Sequence, residues 1–268
     1  MDGRKLLLIL AAALAGAGCV PKPGEPVDYL AIEEAVLIQR KAIEDRASEL
    51  EQRSATPDFT LYGDGTLIVA RDNGEADVLF VTELANDQIE SLLDYIVDRG
   101  FMDIAYDQTA GEPGPTTYLY VQTQTLANSV AASTAALAGD DPSDEATALA
   151  RVIERMDADA AAALEGGSEI YVPIAGTLTW QVFEDADAAA ATDWPLEIDL
   201  AEAQERLPGV DVFSIGVQLP QAAGLDPANS AGICWRNVRQ GDVVFDACLR
   251  PALPYEENFP EFELPTRS

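Results

Sequence analysis

The chain has 268 residues, with 16 Lys and Arg against 47 Asp and Glu and a formal net charge of −31. Such a polyanion repels nucleic acid and anionic head groups, since binding either depends on Lys and Arg neutralising phosphate; nucleic acid is excluded as a partner. There is no histidine, which removes Ser-His and Cys-His nucleophile pairs, His metal ligands and the one side chain that titrates unperturbed near neutrality.

The chain opens with Arg4 and Lys5, then an apolar run from Leu6 to Leu14, then Ala15-Gly16-Ala17-Gly18 and Cys19. This is the order of a secretory signal peptide. The run is well short of the ~20 residues that a bilayer core requires. Small residues ending on a cysteine resemble the lipobox of bacterial lipoproteins, with Gly16 where that family usually carries a branched apolar residue. The resemblance implies a signal peptide over 1–18, cleavage before Cys19, and lipid on the Cys19 thiol. The alternative is an ordinary secreted protein cut near Ala17 or Gly18. Pro21, Pro23 and Pro26 favour extended backbone, so 19–28 reads as the lipidated cysteine and a tether. The partner implied is a membrane, reached through the anchor and not through the acidic surface. Because Val20 is not Asp, the resemblance places the protein on the outer membrane if the cell has one. Otherwise it implies the outer face of the cytoplasmic membrane. An acid-rich composition whose Lys are only Lys5, Lys22 and Lys41 also suits a salt-adapted organism, where self-repulsion is screened.

Residues 29–53 support two readings. Tyr29, Ile32, Val36, Ile43, Ala47 and Leu50 can share a helical face, and Ala35 to Ile38 can equally be a buried strand. Phe59 to Val69 reads as a β-hairpin, because Asp64-Gly65 supplies the positive φ of a tight turn between two apolar runs. With that pair as the loop, Leu61 faces Ile68 and Tyr62 faces Leu67. Val78 to Val81 is a further strand. Ile89, Leu92, Leu93, Ile96 and Val97 recur at helical spacing, with Asn86 as the expected cap and Gly100 as the stop. Phe101 then returns to the core. Thr116 to Thr125 and Asn128 to Thr134 read as a strand and its return. Asp140 to Glu145 invites a calcium reading but lacks the alternating ligands of an EF-hand loop. It reads better as a helix start, with Asp141 the cap and Pro142 in the first turn. That helix runs through Leu149, Ile153, Met156, Ala160 and Leu164 to Gly166-Gly167. Ile170 to Phe183 has strand character with a break at Ala175-Gly176, Glu184 to Asp193 reads as loose, and Val210 to Leu219 is a strand. Residues 251–268 read as an extended or disordered tail.

With Cys19 lipidated, Cys234 and Cys248 remain as a pair in an oxidising compartment. Gly232 to Val238 and Asp242 to Leu249 are alternating runs about Gly241, so the hairpin sets Cys234 opposite Cys248. The same register sets Arg236 opposite Asp246, Val238 opposite Val244, Ile233 opposite Leu249 and Trp235 opposite Ala247. A disulfide between Cys234 and Cys248 is therefore expected. No metal site and no cofactor is expected, since neither Cys nor His can complete one. A Ser-Lys pair is set aside because Lys22 and Lys41 lie in or near the tether. Paired carboxylates remain open, because 47 acids make chance pairs unavoidable.

Asp58 to Thr66 is similar to the "FTLYGDG" opening of a group of bacterial secreted proteins and lipoproteins that carries no assigned activity. The resemblance continues at Leu84 to Phe101, Pro115 to Thr117, Trp194 to Leu196, and Arg250 to Pro254. The last is similar to an "RPLLP" ending, with Ala252 in place of Leu. It implies a strand at Val36 to Ile38. Together these readings give an α+β fold: an antiparallel twisted sheet built from hairpins, with two amphipathic helices packed on it. It would form a single domain over 29–250, or two sub-domains meeting near 166–170. The expected role is a lipid-anchored, extracytoplasmic interaction or envelope module without catalysis. A carboxylate-dependent hydrolase of envelope glycans and a cation-binding module are the alternatives.

Overall fold

A computed structural model describes residues 27–44, 47–72, 77–105, 114–138, 142–183, 190–196, 198–200, 212–218 and 232–256. The signal peptide, Cys19 and most of the tether lie outside them, as do Asp141, 184–189 and 257–268. The fold is α+β, with two twisted sheets where one was expected. The first sheet has seven strands: β1 (Val36–Ile43), β2 (Phe59–Tyr62), β3 (Thr66–Asp72), β4 (Asp77–Glu83), β5 (Thr116–Gln122), β6 (Ala127–Ser133) and β7 (Glu169–Ile170). They lie in the order β6-β5-β1-β2-β3-β4-β7, every neighbour antiparallel. The second has β8 (Ala175–Phe183), β9 (Thr192–Asp193), β10 (Val212–Gln218), β11 (Ile233–Gln240) and β12 (Val243–Pro251), ordered β10-β8-β12-β11-β9. Its one parallel pair is β9 with β11.

Residues 29–53 contain both a strand and a helix, not one or the other. Val36–Ile43 is the central strand β1, and α1 (Glu49–Ser54) follows. Ser48 closes the start of α1 with a capping box: its Oγ accepts from Glu51 N–H, and Glu51 returns a bond to Ser48 N–H at 2.7 Å.

The hairpin of β2 and β3 forms one residue out of the expected register. Leu61 faces Leu67 and Thr60 faces Ile68, so the loop is three residues, Gly63-Asp64-Gly65. Gly65 takes φ +93° and its N–H donates to Tyr62 O, the geometry of a three-residue loop with glycine last. Asp64 fixes it by accepting from Thr66 N–H at 2.8 Å and Thr66 Oγ1 at 2.9 Å. Gly63 is needed for a different reason. A Cβ there would stand 2.0 Å from Leu30 O, because the preceding chain crosses directly over it.

α2 (Asn86–Asp98) and α4 (Asp144–Gly166) pack on one face of this sheet. Ile89, Leu92, Leu93 and Ile96 meet Leu149, Val152, Met156 and Ala160 in one apolar cluster with Leu61, Leu67 and Leu119. Both helix starts differ from expectation. Ala85 precedes the first turn of α2, so Asn86 lies inside it, and Gln88 Oε1 reaches back to Ala85 N–H at 2.9 Å. Ser143, not Asp141, caps α4; its Oγ accepts from Ala146 N–H at 3.0 Å. Ser143→Ala is expected to cost about 1 kcal/mol in urea unfolding; an unchanged midpoint would remove this cap from the account. Gly100 at φ 75° ends α2 and turns Phe101, fully buried, back into the core. A short helix, α3 (Thr134–Ala138), links β6 to α4.

The break in 170–183 falls at Tyr171 to Ile174, and β8 begins at Ala175. The chain passes between the sheets there. The predicted tail begins later than 251. Pro251 ends β12, Ala252 and Leu253 are buried, and Tyr255 packs edge-on against Tyr62 with ring centroids 5.1 Å apart. Apolar burial outweighs the breaking tendency of Pro251 and Pro254. Among the described residues, no helix is long and apolar enough to cross a membrane.

Candidate functional site at the junction of the sheets

Two side chains of β1 and one of β12 carry charge into the interior. Arg40 lies on the helix face of the first sheet. Its Nε donates to Asp58 Oδ1 at 3.0 Å, and its Nη2 pairs with Asp157 of α4 at 2.9 Å. Burial opposes its charge, but the two carboxylates outweigh that and hold its pKa above the ordinary value. Asp58 and Asp157 thus converge, but on a guanidinium, which neutralises the pair a hydrolase would need free.

Lys41 points to the opposite face and is 2% exposed. Its Nζ donates to Gln52 O at the end of α1, at 2.7 Å. The sequence reading placed Lys41 near the tether; it sits instead in the middle of the central strand. Burial, and then the nearby Arg250 charge, lower its pKa to about 8. Arg250 is also buried and pairs with Glu256 at 2.6 Å. Its Nε has no hydrogen-bond partner among the described residues. Glu256 Oε2 in turn accepts from Leu253 N–H at 2.8 Å.

Aromatic groups close the cluster. Leu253 packs with Tyr62, Ile68 and Leu79, and with the flanking Tyr171 and Tyr255. Tyr171 Oη donates to Ala252 O at 3.1 Å, and Tyr255 Oη donates to Asp64 at 2.6 Å. Burial pushes the Tyr62 phenol far above its ordinary range. Burial, then the Glu256 charge, push Tyr171 up to about 12; the bond to Asp64, then burial, do the same for Tyr255. Burial alone would raise Asp64, but the bonds from Tyr255 and Thr66 outweigh it and hold it below the usual carboxylate range.

A measurable pH dependence follows. The Lys41 pKa is lower in the folded chain than its ordinary 10.5, so between about pH 8 and 10.5 the unfolded chain binds the extra proton and stability rises with pH. The phenols act the other way. Their folded values lie above the ordinary 10.0, so their contribution is intact below that pH and lost toward 12. The melting temperature should climb from about pH 8 to 10 and fall beyond it. Lys41→Met should abolish the climb and spare the fall; a climb that persists in the variant removes Lys41 as its cause.

The second stabilising feature is the predicted disulfide. Cys234 faces Cys248 across β11 and β12, with an S–S distance of 2.00 Å and Cα atoms 4.1 Å apart. Ile233–Leu249 and Trp235–Ala247 pair as expected, and Gly241 takes φ 62° in the turn. Beyond Trp235 the register slips by one. Asn237 adopts φ 49° in a bulge, so Val238 faces Phe245 and not Val244. The bulge is held by Asp246, which accepts from Asn237 N–H at 2.8 Å and pairs with Arg236 at 2.9 Å. The expected ion pair therefore forms while the pairing past it does not. Arg236 also reaches Glu51 of α1. Cys234 is exposed, whereas Cys248 is covered by Leu50 of α1 and by Val212.

What the junction can do chemically is limited by access. An amine of lowered pKa is a competent nucleophile, but Lys41 is sealed between β1, α1 and Arg250. Among the described residues, no group of three Cys, Asp or Glu is placed to hold a metal ion. The cluster ties the sheets together. In sequence Lys41 is set aside as near the tether, Arg250 enters only as the start of the Arg250 to Pro254 resemblance, and Glu256 has no role; the signal for Lys41 is a lone Lys in an apolar strand beside Arg40. No protein-family model matches the chain, and no curated protein matches it.

Proposed function

We propose that the protein is a lipid-anchored extracytoplasmic module that binds an envelope partner and performs no chemistry of its own. What supports the location is the Cys234–Cys248 disulfide, since such bonds persist in oxidising compartments. The order of residues from Arg4 to Cys19 supports export and lipidation. What supports a binding role over catalysis is that Arg40, Lys41 and Arg250 all turn inward, each on a partner outside its own strand. The anchor at Cys19 would hold the domain at the outer membrane, or at the outer face of the cytoplasmic membrane in a cell that has only one.

Anchoring is tested directly. The wild-type protein, expressed in its host, should partition into detergent, and Cys19→Ser should release it to the soluble fraction. An N-terminus mapped upstream of Cys19 with no acyl mass would sink the anchor. The binding role is tested by crosslinking in intact cells, where a discrete protein adduct is expected.

A further inference from the structure

The crossover between the sheets turns apolar side chains to solvent. Along Ile170 to Ile174 the side chains alternate: Tyr171 packs on the Tyr62 cluster and Pro173 is buried, while Ile170, Val172 and Ile174 are 51%, 53% and 71% exposed. They are three of the five exposed large apolar side chains among the described residues. The segment is also the rim of the seven-stranded sheet, because β7 is its last strand.

Among the described residues, β7 pairs with β4 alone, on one of its two sides. Tyr171 N–H donates inward to Leu79 O at 2.8 Å, and Ile170 faces Phe80. Successive strand residues point their N–H and C=O groups to alternate sides, so Ile170 and Val172 turn theirs away from β4. Sheet edges are usually blunted by Lys or by a proline that removes an outward donor. Here Pro173 shares the inward phase of Tyr171, so it spares the outward donors. No Lys or Arg occurs between Arg155 and Arg206.

We propose that this edge receives an extended, basic segment of a protein partner, added as a further strand with apolar residues at alternate positions. Those residues would lie on Ile170, Val172 and Ile174, and the outward groups of Ile170 and Val172 would bond its backbone. Charge chooses the occupant. Glu83, Glu165 and Glu169 border the edge and are exposed, and the net charge of −31 opposes both an acidic segment and a second copy of this chain. The inference rests on the binding-module reading and names its surface.

The test uses the full-length protein and labelled peptides of alternating Lys and Val. The controls are a peptide of the same composition with its Lys and Val segregated, and one of alternating Glu and Val. The alternating basic peptide should bind about tenfold tighter than the segregated one and should slow hydrogen exchange at the Ile170 and Val172 amides. Val172→Lys, at an exposed position, should lose about tenfold in affinity without lowering the melting temperature. Equal binding of the two basic peptides, protection elsewhere, or no binding overturns the proposal. So does a concentration-dependent dimer that Val172→Lys abolishes, which would give the edge to a second copy. Photocrosslinkers at Val172 and at the exposed Asn237 of the other sheet separate the two levels of the reading. Adducts at Asn237 alone overturn this edge and leave the binding module standing; adducts at neither overturn the module itself.

Discussion

Glu256→Gln is expected to destabilise the protein by about 3–5 kcal/mol, the range for breaking a buried ion pair from one side. Arg250 and Glu256 are nearly enclosed, with side chains 5% and 11% exposed. Removing the carboxylate leaves Arg250 buried and facing the like charge of Lys41. It also weakens the acceptor that holds Leu253 N–H and, with it, the turn that seats Leu253 on Tyr62, Ile68 and Leu79. Urea unfolding gives the loss. Adding Arg250→Met should recover much of it, since the buried charge left without its partner is then removed as well. A loss for Glu256→Gln under about 1 kcal/mol, the scale of an exposed pair, would mean that the 252–256 turn does not bury this charge.

Removal of the disulfide by Cys234→Ala with Cys248→Ala should cost about 3 kcal/mol, the loop-closure value for a bridge with a sequence separation of 14. The location adds to the loss. Cys248 forms part of the floor on which α1 rests through Leu50, and α1 carries the Gln52 carbonyl that holds Lys41. The sulfur bridge and the buried amine are therefore coupled through one short helix. Reductant should lower the urea midpoint of the wild type and leave the double variant unmoved. A double variant as stable as the oxidised wild type would show that the hairpin and α1 fix this region without the bridge.

The first and last strands among the described residues contribute to the junction. β1 opens the described strands and β12 with Glu256 closes them, so the two sheets are locked where the first and last elements cross. The crossover serves both sides: Tyr171 packs into the junction, while Ile170, Val172 and Ile174 alternate with it and are exposed.

Local chemistry alone determined much of this fold. The Asp64-Gly65 and Gly241 turns, the helical spacing of Ile89 to Val97, and the Gly100 stop were all legible, because each depends on residues within one or two turns of one another. The pairing of Cys234 with Cys248 was legible for the same reason: a hairpin converts spacing along the chain into facing positions. Registers went wrong where a side chain or a distant backbone intervened. The chain crossing at Leu30 and Ile32 and the Asp64 bonds selected a three-residue loop, and Asp246 stabilised a bulge at Asn237 that no periodicity announces. What only the tertiary structure decided is the fate of the charges. Lys41 and Arg250 look in sequence like ordinary cations of an acidic protein, and the apolar run around Lys41 does not say what would cover it. Burial of a charge is set by which remote elements pack over it and whether they bring partners. Here Gln52 of α1 meets Lys41, and the turn after β12 folds Glu256 back onto Arg250.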